Sequence, residues 1–265
     1  MSIKDGKLYI VGIGPGHPDL MTVAAQQAIL KSEYVIGNTT YLDQIEPLLP
    51  GRKVITSSMG EEIARARHAL ELASRGKTVS IISGGDAGVY GMAGIVLEIA
   101  EKDGAGADAK MDVEVDADTR IQVIPGVTAA NSAASILGSP ITSDFATISL
   151  SDLLTPWEDI EKRIAGAAAS DFVIVLYNPK SRNRNTNFGR CIEIVRRYRS
   201  GSVPVGLVKN AFRDVERAVV TTLERALDYD DFVDMHTTAI IGNSESRIWG
   251  ERIITPRGYH RKYDY

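Results

Sequence analysis

Short β-branched runs alternate along the chain with longer stretches whose apolar residues recur every three to four positions. This is the pattern of parallel strands joined by crossover helices, and it predicts an α/β fold. In the first half, strands are expected at 8–11, 34–36, 54–56, 78–83 and 121–124, and helices at 22–31, 61–75, 89–101 and 129–137. The pattern breaks at Gly138, Ser139 and Pro140. A domain of residues 1–140 with a mostly parallel sheet is therefore expected, followed by a second α/β domain over 141–265. Strands are expected there at 146–150, 172–177, 205–208, 219–222, 238–241 and 252–254, with helices near 156–169 and 187–198. The strands crowd together towards the end, which predicts a mixed sheet. Residues 103–119, rich in Gly, Ala and Asp, read as an exposed acidic loop.

Composition narrows the function classes. Thirty Lys and Arg against 34 Asp and Glu leave a net charge of −4, so no broad basic field exists for a nucleic-acid backbone. The single cysteine, Cys191, cannot form an internal disulfide, and the polar opening residues do not resemble an export signal. A cytoplasmic location is expected. No apolar run approaches the roughly 20 residues that cross a bilayer, so no membrane partner is expected. The four histidines, His17, His68, His236 and His260, are scattered, and no metal cluster is expected.

Three glycine-rich turns stand at expected strand ends. Gly12, Gly14 and Gly16 are spaced G-x-G-x-G, with His17 where a dinucleotide fingerprint carries its third glycine three positions after the second. No Lys-Ser or Lys-Thr pair follows at phosphate-loop spacing either. Glycines at this turn let a ligand or a second stretch of backbone come close, with Pro15 stiffening the corner. The second turn is Ser83-Gly84-Gly85-Asp86-Ala87-Gly88. Its Asp86 carboxylate suits hydrogen bonds from a ligand, or the capping of the following helix. The third, Pro125-Gly126-Val127-Thr128-Ala129-Ala130-Asn131, runs into an alanine-rich helix. Open α/β sheets bind ligands at the edge where such turns gather.

In this order and spacing the three turns resemble the motifs of the tetrapyrrole methyltransferases, which use S-adenosyl-L-methionine and release S-adenosyl-L-homocysteine. Ile148 to Trp157 (ISLSDLLTPW), Leu176-Tyr177-Asn178-Pro179 and Thr255-Pro256-Arg257-Gly258-Tyr259 are similar to the branch that methylates C-17 of precorrin-3B and contracts its macrocycle during cobalamin synthesis. The resemblance covers nearly the whole chain. It implies a two-lobed fold, a homodimer, and a cofactor held between the lobes. By the same resemblance, the cofactor contacts fall on Pro15, Gly84, Gly85, Asp86, Val89, Thr128, Ala129, Asn178 and Ala211, with Tyr177 and Thr238 close by. The chain departs from the family at His17, where an acidic residue is common, and at Ala87, where proline is common.

Methyl transfer from a sulfonium needs alignment of the reactants and no protein nucleophile. A corrin precursor carries several carboxylates, so its pocket calls for cations, and arginine forks match carboxylates well. Lys180, Arg182, Arg184 and Lys209 supply them after two expected strands, and Gly14 and Gly16 join them as expected substrate contacts. Ring contraction requires proton movement. Asp86, Ser149 and Asp152 are the expected acid/base groups, the latter two because they lie in the branch motif; Tyr90 and Asp144 are further candidates. Three alternatives stay open: a nicotinamide oxidoreductase, which the glycine spacing disfavours; a non-catalytic tetrapyrrole-binding protein; and a methylase of the same family acting at another ring position or on a protein side chain.

Overall fold

The computed structural model describes residues 6–104 and 120–264. The expected acidic loop at 103–119 falls almost entirely outside the described residues. Contacts divide the chain into two compact units, Met1–Thr128 and Ala129–Tyr265.

In the first unit, strands β1 (Lys7–Gly12), β2 (Tyr34–Asn38), β3 (Lys53–Ser57), β4 (Thr78–Ser83) and β5 (Arg120–Ile124) form one sheet in the order β3-β2-β4-β1-β5. Every pairing is parallel. Alternation along β1 sends Leu8 and Ile10 to one face and Tyr9 and Val11 to the other. Helices α3 (Glu62–Ser74) and α4 (Ala93–Gly104) cover the first face with Ala66, Leu70, Val96 and Ile99. Helices α1 (Val23–Lys31) and α2 (Thr39–Asp43) cover the second with Ala25, Ile29 and Leu42. Thr22 caps α1, its hydroxyl accepting the Ala25 amide at 3.1 Å. Helix α4 starts four residues later than its apolar spacing predicts. Tyr90 holds a positive φ of 53°, and the Ala93 amide turns back to the Ala87 carbonyl, so residues 89–92 are a turn.

In the second unit, α5 (Ala129–Leu137) leads to β6 (Gly138–Ser139), β7 (Phe145–Ser149), α6 (Trp157–Ala169), β8 (Val173–Tyr177), α7 (Asn187–Arg196), β9 (Pro204–Lys209), β10 (Arg217–Thr222), β11 (Thr237–Ile241), β12 (Arg247–Trp249) and β13 (Arg252–Ile254). The main sheet has the order β10-β9-β11-β8-β7 and is mixed: β7 and β8 are parallel, the other pairs antiparallel. The short strands β12, β13 and β6 make a separate sheet. Helices α6 and α7 bury Ile160, Ile164, Phe188, Ile192 and Val195 on one face of the main sheet, and α5 buries Ala130, Ala133 and Leu137 on the other.

Contacts divide the chain between Thr128 and Ala129, ahead of the boundary expected after residue 140. The loop at Gly138–Pro140 does break the helical pattern, but α5 before it packs on β9 and β11. Gly206 makes room for it: a Cβ there would stand 2.3 Å from Leu137 Cδ1. Packing, which the local pattern does not carry, assigns the helix to the second sheet.

Candidate functional site

The three glycine turns are at the carboxyl ends of β4, β1 and β5, which are neighbours in the first sheet. They pack on one another through their backbones. The Gly14 amide donates to the Gly85 carbonyl at 2.8 Å, and the Ile13 amide to that of Ser83 at 3.0 Å. A Cβ on Gly14 would come within 1.9 Å of the Val127 carbonyl oxygen, and one on Gly126 within 2.2 Å of the Gly85 oxygen. Of the two uses open to these glycines, close approach of a second backbone is the one the geometry shows at Gly14 and Gly126. The Cα of Gly14, an expected substrate contact, faces the neighbouring turns. Gly16 holds a φ of 118°, which glycine alone adopts without strain.

Asp86 joins two of the turns. One carboxylate oxygen accepts the Gly88 amide at 2.8 Å, the other the Gly126 amide at 2.9 Å. Bonds of this kind give the carboxylate a structural role, in addition to the acid/base role expected of it from the sequence. Sequence reasoning missed Arg65, buried on α3. Its Nε donates to Ser57 Oγ at 2.5 Å, its Nη2 to the Ser58 carbonyl at 2.8 Å and its Nη1 to Met92 Sδ at 3.5 Å. The Met92 amide in turn donates to Ser83 Oγ at 3.2 Å, so the guanidinium braces the second turn from behind. A lone arginine in a helical stretch of mixed charge gives no sequence signal of this. His17, the departure from the family pattern, caps the short 3-10 turn at Pro18–Leu20 by accepting the Asp19 amide.

A group the size of S-adenosylmethionine needs exposed peptide groups and little side-chain bulk. Gly84, Gly85, Gly126 and Thr128 are all only partly buried, with small or absent side chains. Gly85 holds a φ of 64°, and a Cβ on Gly84 would meet the Tyr41 ring at 2.5 Å. Packing on Tyr41 and backbone conformation thus require glycine at these two positions, and the half-exposed peptide groups that the small residues leave fit the group. Pro15 is buried and Val89 partly buried within the same turns.

In the second unit, β7, β8 and β9 end, and β11 begins, at one edge of the main sheet. This edge gathers Ser149, Tyr177, Asn178, Lys209, Ala211 and Thr238. The Tyr177 hydroxyl accepts the Ala130 amide at 2.8 Å, at the start of α5, and Tyr177 and Ala211 pack on the same apolar cluster. Asn178 holds a positive φ of 49° and donates through Nδ2 to Ser149 Oγ at 3.1 Å, which also accepts the Ser151 amide at 3.3 Å. Both acceptor positions of that hydroxyl are filled, leaving its proton to be donated. Asp152 is exposed and stands apart from this network.

The expected substrate cations are mostly engaged within the unit. Lys180 pairs with Asp230, and Lys209 with Asp234. Burial would raise the Asp234 pKa, but the hydrogen bond and charge of Lys209, with the His236 amide and the Thr237 hydroxyl, carry it below the ordinary carboxylate range. Arg184 donates to Ser151 Oγ at 3.1 Å and to the Asn178 carbonyl at 3.0 Å. Lys180, Arg184 and Lys209, expected as substrate contacts, thus also brace the loops of this edge. Arg182 alone of the four is exposed. Among the described residues, no three His, Cys, Asp or Glu side chains converge as a metal site, and no helix is long and apolar enough to cross a membrane.

Residues 7–227 match the family of tetrapyrrole (corrin/porphyrin) methylases. The chain is 46% identical over 258 residues to a cobalt-factor III methyltransferase of Priestia megaterium, covering 97% of this chain and 46% of that protein. It is 44% identical over 252 residues to a probable cobalt-factor III C(17)-methyltransferase of Salmonella typhimurium, covering 95% of this chain and 99% of that one. Among solved structures, the methyltransferase CobJ superimposes with a TM-score of 0.86 at 33% identity, covering 95% of this chain and all of that one. The chain spans about half the length of the Priestia relative and of a further one, the cobalamin biosynthesis protein CbiHC of Archaeoglobus fulgidus.

Proposed function

The chain belongs to the tetrapyrrole methylase family, and from that premise we propose that it is an S-adenosylmethionine-dependent methyltransferase. Its substrate in this reading is precorrin-3B or the cobalt-containing counterpart, methylated at C-17 with contraction of the ring, as a step of cobalamin synthesis. The observation that carries the reading is the 44% identity, over nearly the full length of both chains, to a probable cobalt-factor III C(17)-methyltransferase, together with three turns gathered on one sheet edge.

S-adenosylmethionine supplies a sulfonium methyl group that leaves by in-line displacement, for which orientation of the reactants contributes on the order of 7–11 kcal/mol. Gly84, Gly85, Asp86 and Thr128 would hold it through their peptide groups, with Pro15 and Val89 beside them. Ala129, Tyr177, Asn178, Ala211 and Thr238 remain assigned to the same ligand. Ser149 is the acid/base group of this reading, because Asn178 and the Ser151 amide orient its hydroxyl to donate. The reading further includes a homodimer in the cytoplasm, which sedimentation and cell fractionation test.

Titration calorimetry of the parent protein with S-adenosylhomocysteine, with NADH as the control ligand, tests the assignment. Heat from the first and none from the second is expected. No heat from S-adenosylhomocysteine would remove the proposed donor site.

A further inference from the structure

Among the described residues, the three most exposed large apolar side chains are Leu154 at 92%, Leu153 at 82% and Val215 at 79%. All three lie in connections at the same edge of the second unit's main sheet: Leu153 and Leu154 after β7, Val215 after β9. Met235, just before β11 at that edge, is also exposed. The connections are tied into one rim. Arg184 bonds Ser151 Oγ at 3.1 Å and reaches Met235 Sδ at 3.9 Å. The Asn210 amide donates to the His236 carbonyl at 3.1 Å, joining the start of β11 to the turn that carries Val215.

That turn is strained. Asn210, Phe212 and Val215 have φ values of 53°, 57° and 55°. A β-branched residue in the left-handed region is a true outlier, and such conformations cost about 1–3 kcal/mol each. The fold holds it from both ends: the Arg213 amide bonds the Asn210 carbonyl at 2.9 Å, and Glu216 accepts the Phe212 amide at 2.6 Å. An apolar side chain is thus kept in a costly conformation to stand in water, in the same connection as Ala211 and at the sheet edge that also carries Ser149 and Asn178. Strain of this kind gathers where ligands are met.

We propose that Leu153, Leu154, Met235 and Val215 form an apolar rim on which the face of the macrocyclic substrate rests, with exposed Arg182 receiving one of its carboxylates. The inference rests on the function proposed above and adds the residues that select a large, flat, apolar ring. A protein partner fits the rim less well. A stable interface takes about 800 Å² and 20–30 residues on each side, whereas four apolar side chains with a few polar groups suit a small-molecule site.

The test compares the parent with the triple variant L153S/L154S/V215S, using cobalt-factor III as probe. Because the replaced side chains are exposed, the variant folds, and its S-adenosylhomocysteine affinity serves as the control. The expected result is a KM for the probe raised about tenfold or more, with S-adenosylhomocysteine affinity and sedimentation unchanged. An unchanged KM overturns the proposal. A changed sedimentation with an unchanged KM also overturns it and makes the rim a contact between copies of the chain. A parent that turns over no probe removes the proposed function and the rim with it, whereas an active parent and a variant of equal KM remove only the rim.

Discussion

The carboxylate of Asp86 accepts the backbone amide of Gly126 at 2.9 Å, across forty residues of sequence. With its other oxygen on the Gly88 amide at 2.8 Å, it fastens the turn after β4 to the turn after β5. Charge-assisted bonds of this sort contribute about 1.5–3 kcal/mol each when intact. Asp86→Ala is expected to lower stability in urea unfolding by about 2–3 kcal/mol and to weaken S-adenosylhomocysteine binding in calorimetry. A variant with parental stability and affinity but a collapsed kcat would instead mark Asp86 as an acid/base group.

Two glycines should respond in opposite directions to the same substitution. Gly14→Ala drives a Cβ to 1.9 Å from the Val127 oxygen, so the turns must separate, and a loss above about 2 kcal/mol is expected. Gly166 lies inside α6 with open space around its would-be Cβ. Gly166→Ala is expected to stabilise the protein by about 0.5–1 kcal/mol. Thermal unfolding of the two variants checks the contrast.

Much of this arrangement was legible in the sequence, for a physical reason. Apolar periodicity and glycine placement are local, so α5 is found at its expected bounds and all three turns stand at strand ends. What long-range packing decides was not legible. Nothing near Lys180 in the sequence announces Asp230, fifty residues on, and nothing near Ser151 announces Arg184. The same gap explains the substrate cations: counting positive residues after a strand reveals supply, while their carboxylate and hydroxyl partners come from other elements. The start of α4 was missed because Tyr90 adopts a conformation that apolar spacing does not encode.

The Lys209–Asp234 pair makes stability depend on acid. The folded-state pKa of Asp234 lies below its ordinary value, so the pair's contribution is fully present above the unfolded pKa of about 3.9. It is lost as pH falls through the folded value. Parent and Asp234→Asn are expected to differ in stability at pH 7 and to converge as acid titrates the folded carboxylate. Urea midpoints measured from pH 7 down into acid check this, and a difference that stays constant throughout would contradict it.

Cys191 is fully enclosed on α7, and burial pushes its thiol up to about 12. At neutral pH the native protein should be inert to thiol reagents, because the thiolate is the reactive form. Labelling with iodoacetamide is expected only under unfolding conditions, and its rate should follow the opening of the core around Phe188 and Ile192. Rapid labelling of the native protein would contradict the packing of this helix.

The most direct measurement of the central claim is incubation with S-adenosylmethionine carrying an isotopically labelled methyl group and cobalt-factor III, followed by nuclear magnetic resonance of the product. The account predicts the label on C-17 of a contracted macrocycle. Label at another ring position, or none on the macrocycle while the protein is folded and the donor bound, would contradict it.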